Sequence, residues 1–185
     1  MARCLTGLAA LALAAAPAAA QQQPATRFFV EALGGAVVPT FDISDVAKTG
    51  AAIGGTIGYR LNDRWTIMGE FDYGFNKDKA TGDADINTLH YIGKLGYTIL
   101  QPKAERGWEA LVNLGAGAVT FDVPGAPQNF TYFAINAGAK LAYNFNPSFA
   151  FVLSPQGDIA FSDEAEVLTD NSWVWPVTAG LRVNF

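Results

Sequence analysis

The chain has 185 residues, 50% of them hydrophobic and 16% charged, with a formal net charge of −5. That length suits one domain, and the acidic balance excludes the basic footprint of a nucleic-acid binder. With 19 glycines and 12% aromatics it is greasy for a soluble domain, yet beyond the leader no apolar run reaches the roughly 18 residues of a membrane helix.

Residues 1–20 read as a signal peptide. Arg3 supplies its charge, Leu5 to Ala16 its short apolar run, and Ala18-Ala19-Ala20 a small-residue site cleaved between Ala20 and Gln21. Removing Arg3 takes the net charge from −5 to −6, and removing Cys4 takes the only cysteine, which excludes disulfide and thiol chemistry from the mature chain. Cys4 stands before the apolar run, whereas the cysteine of a lipoprotein follows it. No spacing suits a nucleotide, a zinc or calcium ion or a catalytic triad, so no cofactor is expected.

A polar lead-in covers 21–26, and residues 27–185 then alternate with period two in eight segments. The first, 27–38, sets Phe28, Val30, Ala32, Ala36 and Val38 against Phe29, Glu31, Leu33 and Gly35. A loop at 39–50 leads to 51–61, where Ile53, Ile57, Tyr59 and Leu61 oppose Thr56, Gly58 and Arg60. The turn Asn62-Asp63-Arg64 is tight. Segment 64–75 is the cleanest: Trp65, Ile67, Phe71, Tyr73 and Phe75 alternate with Thr66, Met68, Glu70 and Asp72.

After a polar loop at 76–86, segment 87–99 sets Leu89, Tyr91, Leu95, Tyr97 and Ile99 against Thr88, His90, Lys94, Gly96 and Thr98. A turn of moderate length, 100–107, precedes 108–121, where Trp108, Val112 and Leu114 oppose Glu109, Asn113 and Gly115. The loop 122–129 holds Pro124, Gly125 and Pro127, and segment 130–145 sets Phe133, Ile135, Leu141, Tyr143 and Phe145 against Asn136, Gly138, Lys140 and Asn144. Asn146-Pro147-Ser148 turns into 149–161, whose Pro155 and Gly157 predict an irregularity or bulge.

The loop 162–170 is acidic, with Asp163, Glu164, Glu166 and Asp170; it is expected to be a solvated acidic loop, with divalent-cation binding as the alternative. The last segment, 171–185, places Trp173, Trp175, Val177, Ala179, Leu181, Val183 and Phe185 on one wholly apolar face. Thr178, Gly180, Val183 and Phe185 have the spacing polar-x-Gly-x-x-apolar-x-aromatic, which resembles the C-terminal signature read by the outer-membrane barrel-assembly machinery.

Length and alternation suit tilted strands that cross a bilayer. A soluble barrel would put the bulky face inside, but here the bulky residues exceed what an eight-stranded bore can hold, while the charged face is sparse and rich in glycine. The expected fold is therefore all-β, an eight-stranded antiparallel up-and-down transmembrane β-barrel, apolar outside and polar inside. Connections alternate long and short, which places both termini in the periplasm and the loops 39–50, 76–86, 122–129 and 162–170 outside. Two aromatic girdles fit: Trp65, Tyr97, Trp108, Tyr143, Phe145 and Phe149 beside the short turns, and Phe71, Tyr73, Phe75, Tyr91, Phe133, Trp173 and Trp175 beside the long loops.

The mature chain resembles the small outer-membrane barrel superfamily of OmpA-like, OmpX-like and opacity-type surface proteins. That resemblance implies a bacterial outer-membrane location and a non-enzymatic anchor with surface loops serving envelope integrity, adhesion or antigenicity. It also implies contact with lipid and lipopolysaccharide, recognition by the assembly machinery and a monomeric state; the loops are the place for an extracellular ligand.

Two other readings stay open. A small solute pore would be lined by Glu31, Arg60, Glu70, Asp72, His90, Lys94, Glu109, Lys140, Asp158 and Arg182. An envelope enzyme would need His90 and Asp72, but no serine is placed as nucleophile and no His-x-Ser pattern like that of lipid A deacylases occurs.

Eight strands leave little bore, so a plugged interior of paired charges is expected. Setting Asn113 opposite Asn136 puts Glu109 opposite Lys140; a similar count sets Asp72 against His90, Glu70 one rung from Lys94, and Glu31 against Arg182 across the closing seam.

Overall fold

A computed structural model describes residues 26–79, 85–102, 105–122, 128–163 and 171–185. The signal peptide with its Ala20–Gln21 cleavage site, residues 21–25 of the lead-in, and Glu164, Glu166 and Asp170 of the acidic loop lie outside the described residues.

Eight strands form: β1 (Phe28–Thr40), β2 (Gly50–Arg60), β3 (Trp65–Lys77), β4 (Asp85–Leu100), β5 (Gly107–Asp122), β6 (Phe130–Asn144), β7 (Phe149–Ala160) and β8 (Ser172–Asn184). Each pairs antiparallel with its neighbour in sequence, and β1 pairs with β8, so the sheet closes as an up-and-down barrel. Closure satisfies the edges that lipid would leave without partners.

The alternation sorts the two faces as expected. Leu114, Phe133 and Leu181 are 69%, 59% and 59% exposed on the outside, while Glu31, Lys140 and Arg182 are 2%, 1% and 1% exposed inside. Charges buried and large hydrophobics exposed is the inverse of a water-soluble barrel.

Both tight turns use one device. Asn62 Oδ1 accepts the N–H groups of Arg64 and Trp65, each at 2.9 Å, and Asn146 Oδ1 accepts those of Ser148 and Phe149 at 2.9 and 3.0 Å. An asparagine three residues before a bulky strand opener thus supplies the turn with its own acceptor. At the same end Phe185 N–H donates to Phe28 O at 2.8 Å, and the two rings meet at 6.1 Å.

The irregularity expected at Pro155 and Gly157 is a break in pairing, and two other details differ from the sequence reading. The β6–β7 ladder skips from Gly138↔Gln156 to Leu141↔Leu153, and the β7–β8 ladder from Pro155↔Val177 to Asp158↔Val174. Register is unchanged across both gaps, so Pro155 on β7 and Pro176 on β8, with no N–H, interrupt pairing without a bulge. The register shift lies instead between Thr98 and Leu100, where β4 meets β5.

The segment 39–50 is not a simple outward loop. It holds a one-turn helix, α1 (Ile43–Val46), and turns back into the barrel mouth. Ile43 and Ala47 are buried in an apolar cluster with Ile86, Val119, Phe121 and Ala134. Backbone bonds from Lys48 to Lys77 O and from Lys79 to Val46 O, at 2.8 and 2.7 Å, pin this cap to the end of β3.

Phe185 joins the apolar outer face and the closing seam. Phe185→Asp is expected to strip the barrel from the outer membrane, seen as loss of the heat-modifiable species in membrane fractions; wild-type yield would contradict this role.

Candidate functional site

The lumen carries the chemistry-bearing side chains. At mid-height Lys140 projects from β6 across the bore to the opposite wall. Its Nζ donates to Glu31 Oε2 on β1 and lies 2.7 Å from both Glu31 Oε2 and Glu70 Oε2. It also donates to Thr56 Oγ1 on β2 at 3.0 Å.

Glu70 accepts further from Lys94 on β4, and Lys94 also donates to Gln156 Oε1 on β7 at 3.1 Å. Arg182 on β8 donates to Glu31 Oε1 at 2.8 Å and to Glu109 Oε1 on β5 at 2.7 Å. Arg60 closes the chain at the short-turn end, 3.7 Å from Glu109 and bonded to Asn184 Oδ1 at 3.1 Å. Every strand thus reaches another through the bore.

The sequence-derived residues fall as follows. Glu31 lies opposite Arg182, Asp72 opposite His90, and Lys94 one rung from Glu70, beside Met68. The placing of Glu109 opposite Lys140 is wrong: Glu109 faces Ala142, Lys140 faces Leu111, Asn113 faces Gly138 and Gly115 faces Asn136.

The error is a slip of two residues, which keeps every side chain on its own face and so leaves no trace in the pattern. The eight-residue connection 122–129 sets no register either. What decides is volume, because a narrow bore pairs a large inward residue with a small one. Glu109 thus lies across Ala142, Asn113 across Gly138 and Asn136 across Gly115.

His90 does not turn to Asp72. Its Nδ1 lies 2.7 Å from Asp158 Oδ2 on β7, and Asn136 Nδ2 donates to Asp158 Oδ1 at 2.6 Å. Among the described residues His90 is therefore hydrogen-bonded to a carboxylate that an amide holds from its other oxygen, and no serine hydrogen-bonds to it. In the C-terminal signature Thr178 points inward, its hydroxyl 3.5 Å from Ser154 O; Gly180 gives room for Ala32 O, which a Cβ would meet at 1.9 Å; Val183 and Phe185 face outward.

Phe29 went unnoticed in the sequence as a site residue. It is an aromatic on the polar face, with the guanidinium carbons of Arg60 and Arg182 at 5.0 and 4.4 Å from its ring centroid. The ring occupies the side-chain space of Gly58, where a Cβ would meet it at 2.0 Å. Its signal was the inward Phe29 facing an inward glycine, legible only once the β1–β2 register is known.

Lys140→Glu would gather three carboxylates at one buried point. The loss of barrel stability should be about 3–5 kcal/mol, the usual cost of breaking a buried pair, read as a lower temperature of heat-modified gel mobility. Adding Glu109→Lys should leave that loss unrelieved, because Glu109 is held by Arg182; recovery in the double exchange would contradict the register.

Comparison with known structures agrees with this geometry. The N-terminal β-barrel domain of Pseudomonas aeruginosa OprF aligns at TM-score 0.57 and 20% identity, over 86% of this chain and 98% of that one. Neisserial surface protein A aligns at 0.60 and 16%, over 85% and 97%. The outer membrane protein OprG from Pseudomonas aeruginosa aligns at 0.62 and 15%, over 88% and 97%. At these identities the likeness is one of fold. No curated protein matches in sequence. The family described as outer membrane protein beta-barrel domain matches residues 6–185, and with a closed eight-stranded barrel, apolar outside and charged within, this chain belongs to that family.

Proposed function

We propose that the protein is a non-enzymatic integral anchor of the bacterial outer membrane, with an occluded lumen and an interaction surface at its loop-bearing end. The observation that carries this reading is the bracing of the bore. Lys140, Arg182, His90, Gln156 and Glu31 are all below 2–3% exposed, whereas a water-filled channel would wet its lining. Above them the apolar cluster under α1 fills the mouth.

The connections support the orientation. Both termini share an end with the short turns, and that end is assigned to the periplasm; the longer connections and α1 are assigned to the outside. Lipopolysaccharide around the outer girdle, recognition of the terminal strand by the assembly machinery, an extracellular ligand on the outer connections and a monomeric state complete the proposal. Envelope integrity, adhesion and antigenicity are the roles this architecture serves.

Planar-bilayer recording tests the occlusion: no discrete single-channel steps are expected from the folded wild type, whereas steady openings would favour the pore reading. Ile43→Asp in the plug should not by itself create steps, because the ionic braces below it stay in place. Labelling of single cysteines on intact cells tests orientation, with Phe41→Cys expected to react and Ser148→Cys to be protected.

A further inference from the structure

The lipid-facing surface is not evenly convex. On β1 to β4 it carries a concavity of about 590 Å³ with Val30, Ile57, Phe71 and Tyr91 in its walls and Gly55, Gly69 and Gly93 in its floor. A second hollow of about 220 Å³ shares Ile57 and Gly69 with it and runs on to Phe28, Tyr59 and Ile67, toward the short-turn end. Gly69 is the point where the two join, and a Cβ there would meet no atom within 4 Å. The result is one apolar groove along the barrel wall.

The groove ends at a cation. Arg27 is partly exposed just before β1, and its Nη1 donates to the Tyr59 hydroxyl at 3.4 Å. Among the described residues no carboxylate pairs with it. A partly exposed guanidinium tethered beside a tyrosine hydroxyl, at the mouth of a hydrocarbon-lined groove, matches a molecule with a phosphate on one end and an alkyl chain on the other. In a family that sits in the outer membrane, this surface meets hydrocarbon and not water, so the groove is filled by a chain.

We infer that the groove along β1–β4 is a phospholipid site, with one acyl chain over Gly69 and the headgroup phosphate on Arg27 and Tyr59. The choice of phospholipid over lipopolysaccharide rests on the orientation proposed above, which puts Arg27 at the periplasmic leaflet. The wall residues fix the chain by shape, and Arg27 selects the charged end.

The test is native mass spectrometry of the barrel extracted in detergent and titrated with dioleoylphosphatidylglycerol or, separately, with lipid A. The wild type is expected to retain one phosphatidylglycerol. Gly69→Leu fills the floor from the lipid side, and Arg27→Gln removes the cation; each should lower retention at least fivefold while heat-modified mobility stays normal. Equal retention by all three proteins, or tighter retention of lipid A than of phosphatidylglycerol by the wild type, would overturn the site. Micelles have no sidedness, so failure here leaves the orientation standing, and a barrel found reversed on cells would still retain the lipid in detergent.

Discussion

One ammonium group holds the interior together. Lys140 is 1% exposed, and its charge is answered from the far wall by Glu31 and Glu70. An unpaired charge at such depth would cost several kcal/mol, so the carboxylates must stand where Lys140 can reach them. Glu31 is also the partner of Arg182, and Glu70 of Lys94, so one contact fixes the next. The chain of alternating charges ties β6 to β1 and β3 and β8 to β5, and the Gln156 amide extends it from β4 to β7. It gives a narrow barrel what a soluble protein obtains from an apolar core: a filled centre with little freedom to rearrange.

That centre divides the lumen into unlike parts. Toward the short turns lie Arg60, Arg182 and Glu109, with the Phe29 ring against both guanidinium groups. Toward the loops the charges give way to the apolar cluster that receives Ile43 and Ala47. The two fillings do different work. The ionic part braces the wall, because each pair demands one geometry. The apolar part accepts α1 through non-directional burial, and the cap needs only backbone bonds to the end of β3 to stay seated.

The outer surface obeys a separate constraint. Lipid supplies no hydrogen bonds, so closure by the β1–β8 ladder is obligatory. Where Pro155 and Pro176 break the β7 ladders, side chains take over: Gln156 Nε2 donates to Ala139 O at 3.1 Å and Asn136 Nδ2 reaches Gly157 O at 3.4 Å. The same inward amides that pack the bore thus serve the backbone of the wall.

The amino-acid order alone determined the number of strands, their faces, the two asparagine turns and the outside-in character, because period two and turn chemistry are local properties. Glu31 with Arg182 and Asp72 with His90 were reached by matching the polar faces of neighbouring strands. Only the tertiary structure decided that Lys140 answers Glu31 and Glu70 and not Glu109, since a two-residue slip across the connection 122–129 preserves every face and is settled by how volumes fill the bore. It also decided that His90 turns to Asp158 on β7, a strand far away in the sheet but near across the lumen. The inward fold of α1 and the groove beside Arg27 belong to the same class. Each arises from closing a sheet on itself, which brings together residues whose separation along the chain carries no periodic signal.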